Sequence, residues 1–302
     1  MRQLSEDTIR TITNKLGEDS VFRDEPMAKH TSMEVGGPAA FLFQPSSEED
    51  LCFLLKLLGE EAYPYYMKGN GSNLIFQDEG FDGAVIETCR MQNVTITGDV
   101  VCAEAGILLK DLSSLIEQES LTGFEFASGI PGSLGGAVCM NAGAYDGEMK
   151  DIVRSVRVMT RDGQILKKSC EEMMFSYRKS LCSSGDYIVL SAELQLSKGD
   201  RKAIQEKIAD LTARREEKQP LEFPSCGSVF KRPEGYFAGK LISDAGLKGY
   251  RIGGAQVSEK HAGFIINAGG AKAQDVLDLI AYVQKMVQEK FGVSLECEVK
   301  IL

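Results

Sequence analysis

This 302-residue sequence has no stretch approaching ~20 consecutive apolar residues, so nothing in it reads as a membrane-spanning helix. Its opening, Met1-Arg2-Gln3-Leu4-Ser5-Glu6-Asp7, lacks the apolar core of a secretory signal, so a cytoplasmic protein is expected. Positive charge is in deficit: 34 Lys and Arg against 44 Asp and Glu give a net charge of −10. That balance argues against non-specific binding to nucleic acid or a membrane surface. Histidine occurs twice, as His30 and His261, and no G-x-S-x-G elbow is present, which leaves a serine-hydrolase triad poorly supported. None of the eight cysteines forms a C-x-x-C pair. Their spacing suits neither a zinc site nor a small disulfide framework, so reduced thiols and no bound metal are expected. There is no internal repeat and no low-complexity tract.

What is present is ample material for a core. The chain is 43% hydrophobic, and since one core stops growing near ~250–300 residues, two or three lobes are expected. Ile9, Ile12 and Leu16 predict a first amphipathic helix. Residues 39–44 read as a strand, Ser46 with Glu49 as a capping box, and Leu51, Leu54, Leu55 and Leu58 as the buried stripe of the helix that follows. Residues 65–67 form a strand that runs into a glycine loop. Closely spaced strands at 84–86, 94–96 and 100–102, a helix over 108–118, and strands at 153–159 and 187–196 indicate an α+β lobe. Helices are expected over 203–218 and 273–290, the second with Val276, Ile280, Val283 and Val287 on one stripe, before a closing strand over 293–302. Lobe boundaries fall near residues 80 and 205.

Two loops carry backbone chemistry. Gly69-Asn70-Gly71-Ser72-Asn73 follows a predicted strand, and its glycines with Ser and Asn donors make a concavity for oxyanions. No Gly-Lys-Ser/Thr follows, and Leu74 breaks G-x-G-x-x-G, so neither a Walker A loop nor a Rossmann fingerprint is present; a tight turn accounts for the spacing equally well. Gly129-Ile130-Pro131-Gly132-Ser133-Leu134-Gly135-Gly136-Ala137 can lie flat against a planar ring, and Asn141-Ala142-Gly143-Ala144 extends that surface. The alternative is a close-packed glycine turn at a lobe junction. Two such loops in separate lobes suggest a large cofactor, phosphates on one and ring on the other.

Arg214, Arg215, Lys218, Lys231, Arg232 and Lys248 gather positive charge in one third of an acidic chain, as an anionic substrate requires. A solvated helix face explains Arg214 and Arg215 almost as well. Tyr177-Arg178 follows Met173-Met174-Phe175, which suits a partly buried guanidinium aimed at a carboxylate; taken alone, a surface arginine is the commoner reading. Ser228, in Ser225-Cys226-Gly227-Ser228, is either a polar loop residue or a proton donor, and Glu296 and Glu298 lie on one side of the last strand.

In their order and spacing these segments resemble the UDP-N-acetylenolpyruvoylglucosamine reductase family across nearly the whole chain. The match runs from His30-Thr31-Ser32 and Val35-Gly36-Gly37-Pro38-Ala39 through both glycine stretches and Gly123-Phe124-Glu125-Phe126. It continues through Tyr177-Arg178 and Lys218-Gln219-Pro220 to Gly227-Ser228-Val229-Phe230-Lys231 and Glu296-Cys297-Glu298-Val299. The resemblance implies an α+β fold with two FAD-binding lobes of the vanillyl-alcohol-oxidase-like type and a C-terminal α+β substrate-binding lobe. The lobes would span 1–80, closed by the strand 293–302, then 81–205, then 206–292. It implies non-covalent FAD, with Gly69, Asn70, Gly71, Ser72 and Asn73 on the pyrophosphate. Gly129, Ile130, Pro131, Gly132, Ser133, Gly135, Gly136, Ala142 and Gly143 would back the ring. By the same resemblance NADPH would reduce the flavin, whose hydride would add to the terminal vinyl carbon of a UDP-sugar enolpyruvyl ether. Arg178 and Glu298 match residues that stabilise the resulting charge, Ser228 matches the proton donor, and Tyr177, Lys218, Lys231 and Lys248 match substrate contacts. The short segment between Arg178 and Tyr187 resembles the shorter subtype, without a tyrosine loop over the substrate, and a monomer is expected. Two other readings compete: an FAD oxidoreductase of the same fold acting on an alcohol or sugar, and a non-catalytic nucleotide-sugar binder.

Overall fold

A computed structural model describes residues 4–302; residues 1–3, at the start of the opening segment and of the first expected lobe, lie outside the described residues. The chain divides into two compact units. The first comprises the described part of Met1–Arg23 with Phe41–Asn70 and Asp82–Arg214; the second comprises Asp24–Ala40, Gly71–Phe81 and Arg215–Leu302.

In the first unit, α1 (Glu6–Leu16) buries Ile9 and Ile12 from the predicted stripe and stops at Gly17, whose φ of +92° no ordinary residue adopts easily. α2 (Glu48–Glu60) buries Leu51, Leu54, Leu55 and Leu58, as their spacing predicts. Its cap, however, is Ser47 rather than Ser46. Ser47 Oγ accepts from Asp50 N at 3.1 Å, while the Ser46 hydroxyl donates to Asp50 Oδ2 at 2.8 Å. Ser46–Glu49 and Ser47–Asp50 have the same spacing, and the buried Asp50 carboxylate, short enough to be held by Ser46 and by Lys15 at 3.3 Å, decides the register.

The five-stranded antiparallel sheet of this unit runs in the order Ile165–Ser169, Val153–Thr160, Tyr187–Gln195, Val100–Glu104, Val94–Thr97. Val153, Val156 and Val158 point into its core and Arg154 and Arg157 out of it. α3 (Leu109–Gln118) closes that core with Leu109, Leu112 and Ile116. Strand Tyr65–Lys68 lies at the edge of a four-stranded sheet and pairs in parallel with Phe81–Glu87, setting Lys68 opposite Glu87. These two form a buried ion pair, with Gln44 Nε2 donating to the other Glu87 oxygen at 2.8 Å. Residues 129–137, expected to be loop throughout, coil at their end into α4 (Leu134–Cys139), because Leu134, Ala137 and Val138 can all turn into the core. α5 (Arg201–Lys218) buries Ile204 and Leu211 and is otherwise a charged face.

In the second unit an antiparallel sheet runs Ser225–Ser228, Phe264–Asn267, Ala255–Val257, Arg251–Ile252. α6 (Ala238–Asp244) and α7 (Ala273–Phe291) share its core, and α7 buries Val276, Leu279, Ile280, Val283 and Val287. Leu279→Ala is expected to lower unfolding free energy by about 2–5 kcal/mol, the cost of a cavity at a fully buried site, read as a shifted denaturant midpoint. The alternating tail is not one long strand. Only Lys300–Ile301 forms a ladder, parallel to Leu74–Ile75, with a separate bridge between Cys297 and Phe230. Backbone bonds from Lys231 N to Glu296 O at 2.9 Å and from Glu298 N to Val229 O at 2.7 Å fix the segment before that ladder. No helix among the described residues is long and apolar enough to cross a membrane.

Candidate active site

In the first unit, strand Tyr65–Lys68 delivers Gly69 against the glycine-rich run, with exposed Asn70 next in the chain. A Cβ at Gly69 would collide with the Ser133 hydroxyl, so any larger residue there would have to turn that side chain away. Gly135 is held as tightly: its N–H donates to the Ala105 carbonyl at 2.8 Å, and an added Cβ would stand 2.8 Å from that of Ala105. Along the run Gly129, Pro131 and Gly136 are exposed, Ile130 and Gly132 half-buried, Ser133 and Gly135 buried. Ser133 is 2% exposed, and its Oγ has no hydrogen-bond partner among the described residues. A buried hydroxyl left this way costs about 1–3 kcal/mol, which a ligand bringing a polar atom to it would recover.

Tyr177 and Arg178 form the apex of a tight turn closed by Ser176 N to Lys179 O at 3.0 Å and Lys179 N to Ser176 O at 3.1 Å. Arg178 has a left-handed backbone, φ +55°. Its guanidinium stands 4.9 Å from the exposed Tyr177 ring and donates through Nη2 to the Gly143 carbonyl at 3.3 Å. Gly143 pairs with Glu148 in a short hairpin, and Ala142, buried, accepts from Met149 N at 3.0 Å. The predicted residues of this unit therefore fall into two groups, Gly69 with 129–136, and Gly143 with Tyr177 and Arg178, with Ala142 next to Gly143 and Asn70 exposed beside Gly69.

In the second unit, Gly71 (φ +70°) packs where a Cβ would strike the His30 carbonyl, and partly exposed Ser72 follows it. Asn73 Nδ2 donates to Glu298 O at 3.1 Å, tying the loop to the segment that carries Glu298. Ser228 ends its strand opposite Phe264, with Oγ 3.4 Å from the Phe230 carbonyl. Because Val229 bonds to Gly263 on one side and Glu298 on the other, Ser228 and Glu298 sit on adjoining backbone. The Lys231 ammonium pairs with Glu296, a mostly exposed partner that an anion can replace at little cost. Lys218 and Lys248 are exposed.

Two neighbours gain no chemistry from their position. Burial pushes the Cys226 thiol up to about 12, so it stays protonated and unreactive. Burial also lowers the His261 pKa, helped by the charge on Lys248; its Nδ1 accepts from Gly263 N at 3.1 Å. Sequence reasoning missed Asn141, used only as the first residue of an Asn-Ala-Gly-Ala run, and the Lys68–Glu87 pair directly before the loop. No pattern signals either, since both depend on burial. Among the described residues, no group of three His, Cys, Asp or Glu could hold a metal ion.

Comparison with known proteins defines the class first. Residues 39–169 match the family described as FAD binding domain. A structure of alkyldihydroxyacetonephosphate synthase, 17% identical, superposes with a TM-score of 0.50 over 65% of this chain and 44% of its own, which shows a common fold. The protein has the α+β FAD-binding fold of the vanillyl-alcohol-oxidase-like oxidoreductases.

Residues 219–302 match UDP-N-acetylenolpyruvoylglucosamine reductase, C-terminal domain. The Clostridium perfringens UDP-N-acetylenolpyruvoylglucosamine reductase is 52% identical over 94% of each chain; that of Caldanaerobacter subterraneus is 50% identical over 100% of this chain and 99% of its own. The crystal structure of the Thermus caldophilus enzyme, 36% identical, gives a TM-score of 0.79 over 91% of this chain and 97% of its own. This chain belongs to the UDP-N-acetylenolpyruvoylglucosamine reductase family.

Proposed function

We propose that this protein is a cytoplasmic, monomeric enzyme that reduces UDP-N-acetylglucosamine enolpyruvate to UDP-N-acetylmuramate for peptidoglycan synthesis. NADPH is the reductant and non-covalent FAD the carrier. The observation that carries the reading is the run 129–136, with its open edge, its abutment on Gly69 and its unpartnered Ser133 hydroxyl. Those features fit a flat prosthetic group with a polar rim. In this reading residues 1–80, closed by 293–302, and 81–205 hold FAD, and 206–292 bind the substrate.

Gly69, Asn70, Gly71, Ser72 and Asn73 hold the pyrophosphate through backbone N–H groups and short polar side chains. Gly129, Ile130, Pro131, Gly132, Ser133, Gly135 and Gly136, with Ala142 and Gly143, back the ring. FAD held there would contribute hydride chemistry, linking NADPH to the terminal vinyl carbon of the enol ether. Negative charge then develops on the neighbouring substrate carbon and its carboxylate. Arg178 meets that charge with a permanent cation. Glu298 contributes only when protonated, as a hydrogen-bond donor. Ser228 delivers the proton from Oγ to the carbon. Tyr177, Lys218, Lys231 and Lys248 contact the substrate, the lysines offsetting its diphosphate.

The purified protein is expected to be yellow, absorbing at about 450 nm. NADPH should bleach it anaerobically, and the enolpyruvyl nucleotide sugar should restore the colour. A bleached protein that ignores this substrate but recovers with an oxidised alcohol or sugar would replace the assignment with another oxidoreductase of the same fold.

A further inference from the structure

Asn141, two residues past the end of α4, is fully buried, at 0% exposure, and its backbone is left-handed, φ +45°. Asn tolerates that conformation better than most residues with a side chain. Its Nδ2 donates to the Ser176 carbonyl at 3.1 Å and to Glu148 Oε2 at 2.6 Å, while Oδ1 accepts from Lys150 N at 2.9 Å. Both amide protons are used, so the orientation is determined. A flipped side chain would set Oδ1 against a carbonyl and a carboxylate, and its NH2 against an N–H.

The Ser176 carbonyl is also the acceptor that closes the turn bearing Tyr177 and Arg178, through Lys179 N. Asn141 therefore grips that turn at its base. At the apex the guanidinium reaches back to Gly143, two residues beyond Asn141. A left-handed backbone is strained for arginine, so a turn released at its base has reason to relax. We propose that Asn141 is the positioning residue for Arg178, fixing the turn so that the guanidinium faces the developing charge. The inference rests on the role given above to Arg178.

The test uses the flavin-loaded full chain and follows each half-reaction separately. Asn141→Gly keeps the left-handed backbone and deletes the grip. Flavin content and bleaching by NADPH should be unchanged, while recovery with the enolpyruvyl substrate slows about 10–100-fold, the effect of a displaced catalytic group. In an Arg178→Ala background the same change should add almost nothing, because its target is gone. Loss of flavin, equal slowing of both half-reactions, unchanged recovery, or a full extra loss in the Arg178→Ala background would each overturn the proposal. If Arg178→Ala alone leaves recovery unchanged, the reading of Arg178 fails first and the inference with it.

Should the glycine variant not fold, Asn141→Asp keeps the shape and the Lys150 N contact but turns an oxygen toward the Ser176 carbonyl and toward Glu148, whose carboxylate pairs with the Lys150 ammonium. Its recovery rate relative to wild type should improve as pH falls and the new carboxyl gains a proton to donate. A pH-independent ratio would count against the proposal.

Discussion

Ser228→Ala bleaches with NADPH as the wild type does, then recovers its colour with substrate about 10²–10⁴-fold more slowly, the usual contribution of a positioned proton donor. The structure makes this a clean experiment. The serine hydroxyl makes a long bond, 3.4 Å to the Phe230 carbonyl, so its loss removes little stability. The backbone that aligns the position, through Phe264 opposite and Val229 next to it, is untouched by alanine. Flavin reduction needs no proton from this residue, so the two half-reactions separate. Recovery at the wild-type rate would mean that the proton comes from elsewhere. Burial holds the Cys226 thiol protonated, up to about 12, but it is enclosed and already donates to the Leu74 carbonyl, which leaves it a poor substitute.

Arg178→Gly is expected to slow the same step about 10²–10³-fold while leaving the fold as stable as before, within about 1 kcal/mol. The two halves of that expectation have different causes. Glycine brings no cation to the apex, so the charge that meets the developing anion is lost. The backbone at φ +55° is strained for arginine and easy for glycine; the relief offsets the extra freedom glycine brings to the unfolded chain. Thermal melts beside half-reaction kinetics would check both. A variant that loses several kcal/mol would show that the turn depends on the arginine side chain's contacts, among them the bond to Gly143, and a variant with intact recovery would remove Arg178 from the chemistry.

Elements with strong periodicity are legible in the amino-acid sequence itself. α7 and α1 follow stripes of Val, Leu and Ile that bury as their spacing requires. Less legible is anything settled by competition between equal signals, as with the overlapping serine caps of α2, where burial of Asp50 chose the register. The tail 293–302 alternates like a strand, yet its pairing is limited by the partners available, Phe230 for Cys297 and Leu74–Ile75 for the end. At the site, residue types point to Ser228, Glu298, Arg178 and the two glycine loops. Invisible in the letters are the left-handed backbone of Arg178, the burial of Asn141, and the pairing of Lys68 with Glu87. Each arises from long-range placement: a turn held from thirty-five positions away, or a register between two parallel strands.

The parallel pairing of Lys300–Ile301 with Leu74–Ile75 sets a schedule for the growing chain. At ~5–20 residues per second the ribosome takes on the order of tens of seconds to make the stretch between them, and for that time the earlier edge waits without its mate. Met33, Val35 and Ile75, which belong to the same core as α7, wait with it. A slow stretch of translation or a premature stop in the last turn of synthesis therefore leaves a sticky early segment exposed, and makes chaperone demand a matter of timing.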